Sequence, residues 1–431
     1  MIRKFKLGLL LFFMVVFSPI LILSQTDDQK NRMLENLIQT ALENNPKLEA
    51  AVFRSLSEEE TISQAGALPD PQLTFGLMNL PVNSFSFSQE PMTGKLVGLM
   101  QVFPFPGKLS LATDMAEYAA AAVKYQQEEI RNRIIQMVKN LYYDLYAVDR
   151  ALEIIEKNKE LLKLLIQVTE TKYATGSGLQ QDILRSQVEM TKLEDDQIMW
   201  TQKRSAVTAQ INSLLNRPIK TPMEKTPIEM YLAQFPIEEF DNANIEEQRP
   251  LLKAWQERIQ KAEAASKLAQ RELWPNFILG ATYSQRNDLT DGRKMPDFFS
   301  ATVSINLPIF SNRKQKAGIA EKQLALSAIQ AEYEAVKINV LAEIEKISAD
   351  LERNHKRFEL YKGGILIQAQ QSFESAQAGY RVGKVDFLTL INNWMMLQNY
   401  ELQFHLAAAG FYKKLADLEF ALGRELKNIE E

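Results

Sequence analysis

The amino-acid sequence predicts a mainly α-helical protein with a small β part, in which a helix, strand, strand, very long helix, helix unit is built twice. Three observations carry this. The chain repeats itself: shifted by 204 residues, Pro46 falls on Pro250, Pro71 on Pro275, Gly76 on Gly280 and Pro104 on Pro308. Further along a shift of 207 brings Tyr173 onto Tyr380, Gly176 onto Gly383 and LLNR at 214–217 onto ALGR at 421–424. A period this long exceeds any solenoid unit, so a whole domain is duplicated. Second, Leu109 to Tyr173 contains neither proline nor glycine and carries apolar residues at every seventh position. Third, a few short segments alternate apolar and small polar residues with the period of a strand.

Composition bounds the classes. The 431 residues are 46% hydrophobic and 24% charged, as in a folded protein, and the net charge of -4 with intermixed signs gives no phosphate-tracking stripe, which argues against nucleic acid. Residues 1–25 read as a secretory signal peptide: Arg3, Lys4 and Lys6 lead an apolar run from Leu7 to Leu23, and small Ser24 precedes a polar stretch. An uncleaved anchor is the other reading of that run, and either one takes the chain out of the cytoplasm. No later stretch is long enough for a second helical span. The absence of cysteine excludes disulfides, thiolate metal sites, a cysteine nucleophile and an N-terminal lipid on cysteine.

The first repeat covers 26–216. One helix is expected from Asn31 to Ala67, with Leu34, Leu37, Ile38, Ala41 and Leu42 on one face, stopped by PDP at 69–71. Strands follow at about 72–82 and 95–103, around a loop containing SFSFSQEPMTG. A helical hairpin at 109–216 comes next. Ile134, Leu141, Val148, Ile155 and Leu162 form its heptad stripe, with Val138, Leu145, Leu152 and Ile166 offset by four. About 63 residues at 1.5 Å each make roughly 95 Å of helix. TGSG at 175–178 turns the chain, and Leu193, Trp200, Val207 and Leu214 carry the stripe back. The proline-rich stretch 217–244 reads as a loop-rich linker.

The second repeat, 245–431, has strands at about 276–285 and 298–307 and a helical hairpin at 313–425. Gly363-Gly364 predicts a kink, GYRVG makes the turn, and Leu390, Leu397, Phe404, Phe411 and Leu418 return at intervals of seven.

The strands point to function. Phe299, Ala301, Val303, Ile305 and Leu307 alternate with Ser300, Thr302, Ser304 and Asn306; Phe277, Leu279, Ala281 and Tyr283 alternate with Ile278, Gly280, Thr282 and Ser284. Strands of this length with this pattern match those that cross an outer membrane, apolar toward lipid and polar toward a lumen. A soluble sheet packed on one side alternates equally well. The scarcity of strands and the length of the rods favour the membrane, because nothing remains to cover the sheet. Four strands cannot close a barrel and open edges are not tolerated in hydrocarbon, so several copies must share one; three would supply 12 strands. Phe103, Phe105, Trp274, Phe298, Phe299 and Phe310 gather at strand ends, where rings suit either an interfacial belt or helix–sheet packing.

With its leader, its duplication, PDP and WP before strands, FPFPGK and LPIF after them, and YxxG at both hairpin turns, the chain resembles the outer membrane efflux protein (TolC) family over everything after residue 30. The resemblance implies a homotrimer: a 12-stranded barrel in the outer membrane of a Gram-negative cell, continued by an α-helical barrel through the periplasm. It implies a passive exit duct of a tripartite pump, gated at its periplasmic end and docked to a periplasmic adaptor and an inner-membrane transporter. FGLMNLP with FPFPGKL looks most like members paired with heavy-metal exporters. Many relatives carry a lipidated N-terminal cysteine; here attachment would rest on the barrel alone. The alternative is a secreted periplasmic coiled-coil adaptor or scaffold without channel activity.

Tyr173, Gly176, Tyr380 and Gly383 match the family's tip motif, implying adaptor contact and channel closure, although glycine alone is explained by the turn. Asp182 and Asp386, just beyond the turns, are candidate pore carboxylates or else ordinary helix-start acids. His355 and His405 have no partner at ligand spacing, and Met78, Met92 and Met100, copper(I) ligands by type, read better as adaptable filler. With no phosphate loop, zinc signature or nucleophile elbow, neither an enzyme nor a cofactor is expected.

Overall fold

The computed structural model describes residues 20–227 and 244–426, with side chains from Arg32 onward. Residues 1–19 of the expected leader and 228–243 of the expected linker lie outside the described residues. The chain is mostly helical with one four-stranded antiparallel sheet, and it divides into two compact units.

The first unit takes residues up to Ala50, Glu128–Arg249 and from Asn339 on. It holds α1 (Ile20–Asn44), most of α3 (Lys108–Ala174), α4 (Gln180–Leu214), α5 (Ile245–Gln248), the later part of α7 (Gln315–Leu360), α8 (Leu366–Arg381) and α9 (Phe387–Leu422). The heptad stripes land in its core: Leu162 and Leu165 of α3, Leu193 of α4, Phe373 of α8, and Leu390, Trp394 and Leu397 of α9 form one buried cluster. Each such aliphatic or aromatic side chain contributes roughly 1.5–3 kcal/mol by leaving water. Buried Trp394 donates its indole N–H to Asn158 Oδ1 at 2.8 Å, so this polar pair inside the seam is satisfied.

One expectation is corrected here. The helix expected over Asn31–Ala67 is two helices, α1 and α2 (Pro46–Gly66), because Pro46 lacks the N–H that continuation needs and Asn45 accepts from Lys47 N at 2.9 Å as the cap of the second. Where a kink is expected at Gly363 the helix carries a π-turn over Tyr361–Ile365, between α7 and α8. The described part of the expected linker, 217–227, is loop and is strapped down: buried Asp149 accepts from Arg204 Nε (2.7 Å) and from Thr226 N and Oγ1 (2.9 and 3.1 Å), while Asn212 Nδ2 donates to the carbonyls of Ile219 and Thr221.

α4 and α9 end alike. Asn216 and Gly423, matched by the repeat, both adopt left-handed backbone, with φ of 51° and 73°. The two sites differ in room: a Cβ on Gly423 would lie 2.7 Å from the Gln248 carbonyl and 2.8 Å from Arg249 Cα. That close approach seats Arg249, which is 2% exposed, against the Phe420 carbonyl and at 2.7 Å from Glu129. His405, on α9, shares a 2.8 Å hydrogen bond with Tyr146, and burial followed by the Arg150 charge lowers its pKa to about 4.

The second unit takes Ala51–Gln127 and Pro250–Ile338. It contains β1 (Gln72–Met78), β2 (Gly94–Phe103), β3 (Phe277–Gln285) and β4 (Phe298–Ile305) in the order β1-β2-β3-β4, with α6 (Pro250–Arg271) and the starts of α3 and α7. β1 stops short of the expected residue 82 because Asn79 turns left-handed at φ 50° ahead of Pro81, and β4 stops at Ile305, where Asn306 accepts from Asn276 N. Lys108, 5% exposed, ties α3 to the start of β3 through the Trp274 carbonyl (3.0 Å) and Asn276 Oδ1 (2.9 Å).

Replacing Gly423 by alanine should cost about 2 kcal/mol or more, while Asn216→Gly should stay within about 0.5 kcal/mol, both read from the thermal midpoint of the detergent-purified protein. His405 gives a pH signature. The unfolded chain protonates it below its ordinary 6.5 and the folded chain only near 4, so stability falls as pH drops through that window, by roughly 3 kcal/mol at its lower end. His405→Gln should flatten that part of the melting-temperature profile between pH 6.5 and 4.

Candidate functional site

The sheet is a two-faced wall. Its register aligns Leu73 with Leu99, Phe75 with Val97, Val97 with Tyr283, Leu279 with Val303 and Tyr283 with Phe299. All these odd-numbered residues therefore share one face, and that face is bare: Phe75, Phe299 and Val303 are each 73% exposed. Large apolar side chains left uncovered in a contiguous patch mark an interaction surface, here for lipid or another chain. β1 and β4 each keep one edge that pairs with nothing among the described residues.

The opposite face is shallow. On β3 and β4 it carries Gly280, Thr282, Ser284, Ser300, Thr302 and Ser304, as the alternation predicts, with Ile278 and Phe298 at its two ends. β2 departs from it, presenting Gly94, Leu96, Gly98, Met100 and Val102. Leu96 lies flat across the glycines, its Cδ2 3.7 Å from where a Gly98 Cβ would stand, and a Cβ on Gly280 would meet Thr302 Oγ1 at 2.6 Å. Among the described strand residues this face has no ionisable side chain. Met78 and Met100 sit at opposite ends of the β1–β2 register, and Met92 lies at the Met78 end, where its carbonyl accepts from Asn79 Nδ2, so the three methionines do not converge. No group of three or more histidine, aspartate or glutamate residues able to hold a metal is present among the described residues.

The aromatics of the expected belt divide between both ends of the sheet. Phe103 pairs with Phe277, and Phe105 stacks on Trp274 at 5.1 Å beside the helices. Phe298 and Phe299 stand at the loop end, where Phe298 lies under the Arg286 guanidinium at 3.6 Å.

In the other unit the structure brings the two hairpin turns together. Gly176 and Gly383 take φ of 72° and 74°, which the turns require. The matched tyrosines differ: Tyr173 is 48% exposed, whereas Tyr380 is 6% exposed and packs edge-on against Phe387 at 5.7 Å. Lys172 joins the turns, donating to the Tyr380 carbonyl at 2.6 Å with its ammonium 4.0 Å from the Tyr380 ring. Sequence reasoning missed Lys172, although its place next to Tyr173 in KYATGSG was in view.

The two aspartates lie within electrostatic reach of each other. Burial, then the Asp386 charge, raises the Asp182 pKa, against a backbone hydrogen bond at Leu179 and the Lys172 charge that lower it. Asp386 itself is held low by hydrogen bonding to Thr389, first through that residue's side chain and then through its backbone N at 2.8 Å, the bond that makes Asp386 the N-cap of α9. His355 and His405 are packing residues, in ring contact with Phe411 (5.8 Å) and Tyr146 (5.9 Å).

Comparison with known proteins agrees with this arrangement. A sequence profile described as outer membrane efflux protein matches residues 37–217 and 243–424. No curated protein matches in sequence. Among solved structures, the outer membrane protein VceC of Vibrio cholerae is similar with a TM-score of 0.77 at 17% identity, over 92% of this chain and 98% of that one. CusC is similar with a TM-score of 0.77 at 17% identity, over 91% and 92%. The open state of the Neisseria gonorrhoeae MtrE outer membrane channel follows with 0.75 at 18%, over 92% and 90%. At these identities the likeness is one of fold. With both repeats matched on either side of the linker, the chain belongs to the outer membrane efflux protein family.

Proposed function

We propose that three copies of this chain close their four-stranded sheets into one 12-stranded barrel in the outer membrane of a Gram-negative cell, as the exit duct of a tripartite efflux pump. The observation that carries this reading is the exposed apolar face on a sheet with two open edges. In hydrocarbon the apolar face is favourable, but each unpaired backbone group costs several kilocalories per mole, so the edge of one copy has to meet the edge of the next. The two repeats, 26–216 and 245–431, each supply one strand hairpin and one helical hairpin. A periplasmic adaptor and an inner-membrane transporter complete the pump. Transport is passive, since the barrel face offers glycine, hydroxyl and thioether groups and no charge to grip a passing ion.

The hairpin turns are the gate. Lys172 holds the first turn to the second, and the acids Asp182 and Asp386 surround that contact with negative charge. Exposed Tyr173, with Gly176 and Gly383 shaping the turns, is offered to the adaptor, while buried Tyr380 anchors the second turn from inside. Heavy-metal cations are the proposed cargo, on the strength of FGLMNLP and FPFPGKL. Selection would rest with the transporter, because a wide water-filled duct discriminates little.

Purified protein in planar bilayers should form pores, and a soluble monomer that conducts nothing would instead fit the scaffold reading. Lys172→Met should raise open probability several-fold relative to wild type. Asp386→Asn keeps a capable helix cap and removes one charge, so it isolates electrostatics. Asp182→Asn with Asp386→Asn should lower cation selectivity, and unchanged reversal potentials would remove the carboxylate gate. A strain lacking the protein should lose tolerance to copper, silver, zinc or cobalt; unaltered tolerance to all four would remove the metal cargo.

A further inference from the structure

We infer that Lys95 is a binding site for the phosphate of an anionic lipid headgroup, set at the loop-side rim of the sheet's apolar face. This rests on reading that face as lipid-facing. Among the described strand residues of the face, Lys95 is the sole charged side chain, and it is exposed. The register fixes its height. Passing toward the loops, one row holds Leu73, Leu99, Ala281 and Ala301, the next Phe75, Val97, Tyr283 and Phe299, and the last Leu77, Lys95 and Gln285. Rows on one face are spaced by about 7 Å. Aliphatic, then aromatic, then cationic is the order in which a lipid leaflet presents acyl chains, interface and phosphate.

The side chain is disposed for that role. Its ammonium stands 5.1 Å from the ring centroid of Phe87, a residue of the 79–93 loop, so the stem runs over apolar surface and the head leaves the hydrocarbon at the loop end. Of the loop carboxylates, Asp297 is occupied by Tyr283 and Arg286 N, Asp291 by Arg293 and Asp288 by Met295 N, while Glu90 is exposed on the 79–93 loop. The helix-side rim has no counterpart: Gln101, Phe103, Phe277 and Ile305 end the face there, and Lys108 is buried in its own hydrogen bonds. β2 is flanked by β1 and β3 of its own chain, so Lys95 keeps this position whatever pairs with the open edges. The apolar rows beneath the ammonium match an acyl chain, which selects a lipid over free phosphate.

The test is native mass spectrometry of the detergent-purified full chain titrated with phosphatidylglycerol, phosphatidylcholine or inorganic phosphate. Wild type should favour phosphatidylglycerol over phosphatidylcholine by about fivefold, Lys95→Arg should keep that preference and Lys95→Gln should lose it. Retention of the preference in Lys95→Gln, or inorganic phosphate binding as well as phosphatidylglycerol, overturns the site and leaves the lipid-facing reading standing. A protein that binds neither lipid and stays dispersed without detergent overturns both.

Discussion

A β-sheet placed in hydrocarbon has to satisfy every backbone donor and acceptor from within protein, and this chain supplies a sheet that cannot do so alone. β1 and β4 end the sheet with open ladders, while the face that hydrocarbon would welcome is covered by nothing in its own unit. These features pull in opposite directions for a monomer in either solvent. Water penalises the bare phenylalanines, leucines and valines; lipid penalises the edges. Lipid around the sheet removes the first penalty and closure with further copies removes the second, and the remaining features of the sheet fit that combination. The rings collect at both ends, and the opposite face stays shallow through Gly98, Gly280 and the flattened Leu96.

Duplication explains the architecture and also shows where the halves have parted. α7, the π-turn and α8 together span Gln315–Arg381, which the 207-residue offset lays directly on α3. The two rods are therefore matched residue for residue, yet one contains a π-turn at paired glycines and the other is regular throughout. Asn216 and Gly423 solve the same helix-ending problem, but only the second is pressed against another backbone. Tyr173 and Tyr380 occupy one motif position, and one faces solvent while the other is core. In the last two pairs the backbone role is shared and the side-chain environment is not, whereas the rods differ in the backbone itself.

That division sets what the sequence made legible. Periodicity is a property of one segment at a time, so the heptads through Leu162, Trp200 and Leu397 and the alternation of Phe299 to Ile305 could be read directly, and they fall where burial and register place them. β2 was harder, because glycine and methionine on its inner face give no polar signal, and its role emerges only from pairing with β1 and β3. The break at Asn45 was marked by Pro46 but masked by an apolar stripe that continues across it. Lys172 was illegible for a different reason: its partner, the Tyr380 carbonyl, is a backbone atom some two hundred residues away, and no side-chain pattern announces it. Asp386 shows the converse, a residue singled out for its charge whose clearest observed bond is the plain capping of a helix.

The distribution of charge ties these threads to transport. The shallow face of the sheet is uncharged in its described strands, so any preference for cations in the assembled duct must arise elsewhere, and the carboxylates of Asp182 and Asp386 are the acids that the turns bring within reach of each other. Burial and mutual repulsion raise Asp182, while hydrogen bonding holds Asp386 ionised, so the pair titrates unequally and keeps at least one negative charge over a wide pH range. Lys172 counters that charge only while it reaches the Tyr380 carbonyl and ring. In the proposed gate, a turn that moved away would take the Lys172 charge from Asp182 and release the second hairpin together, linking an electrostatic change to a mechanical one through a single ammonium group.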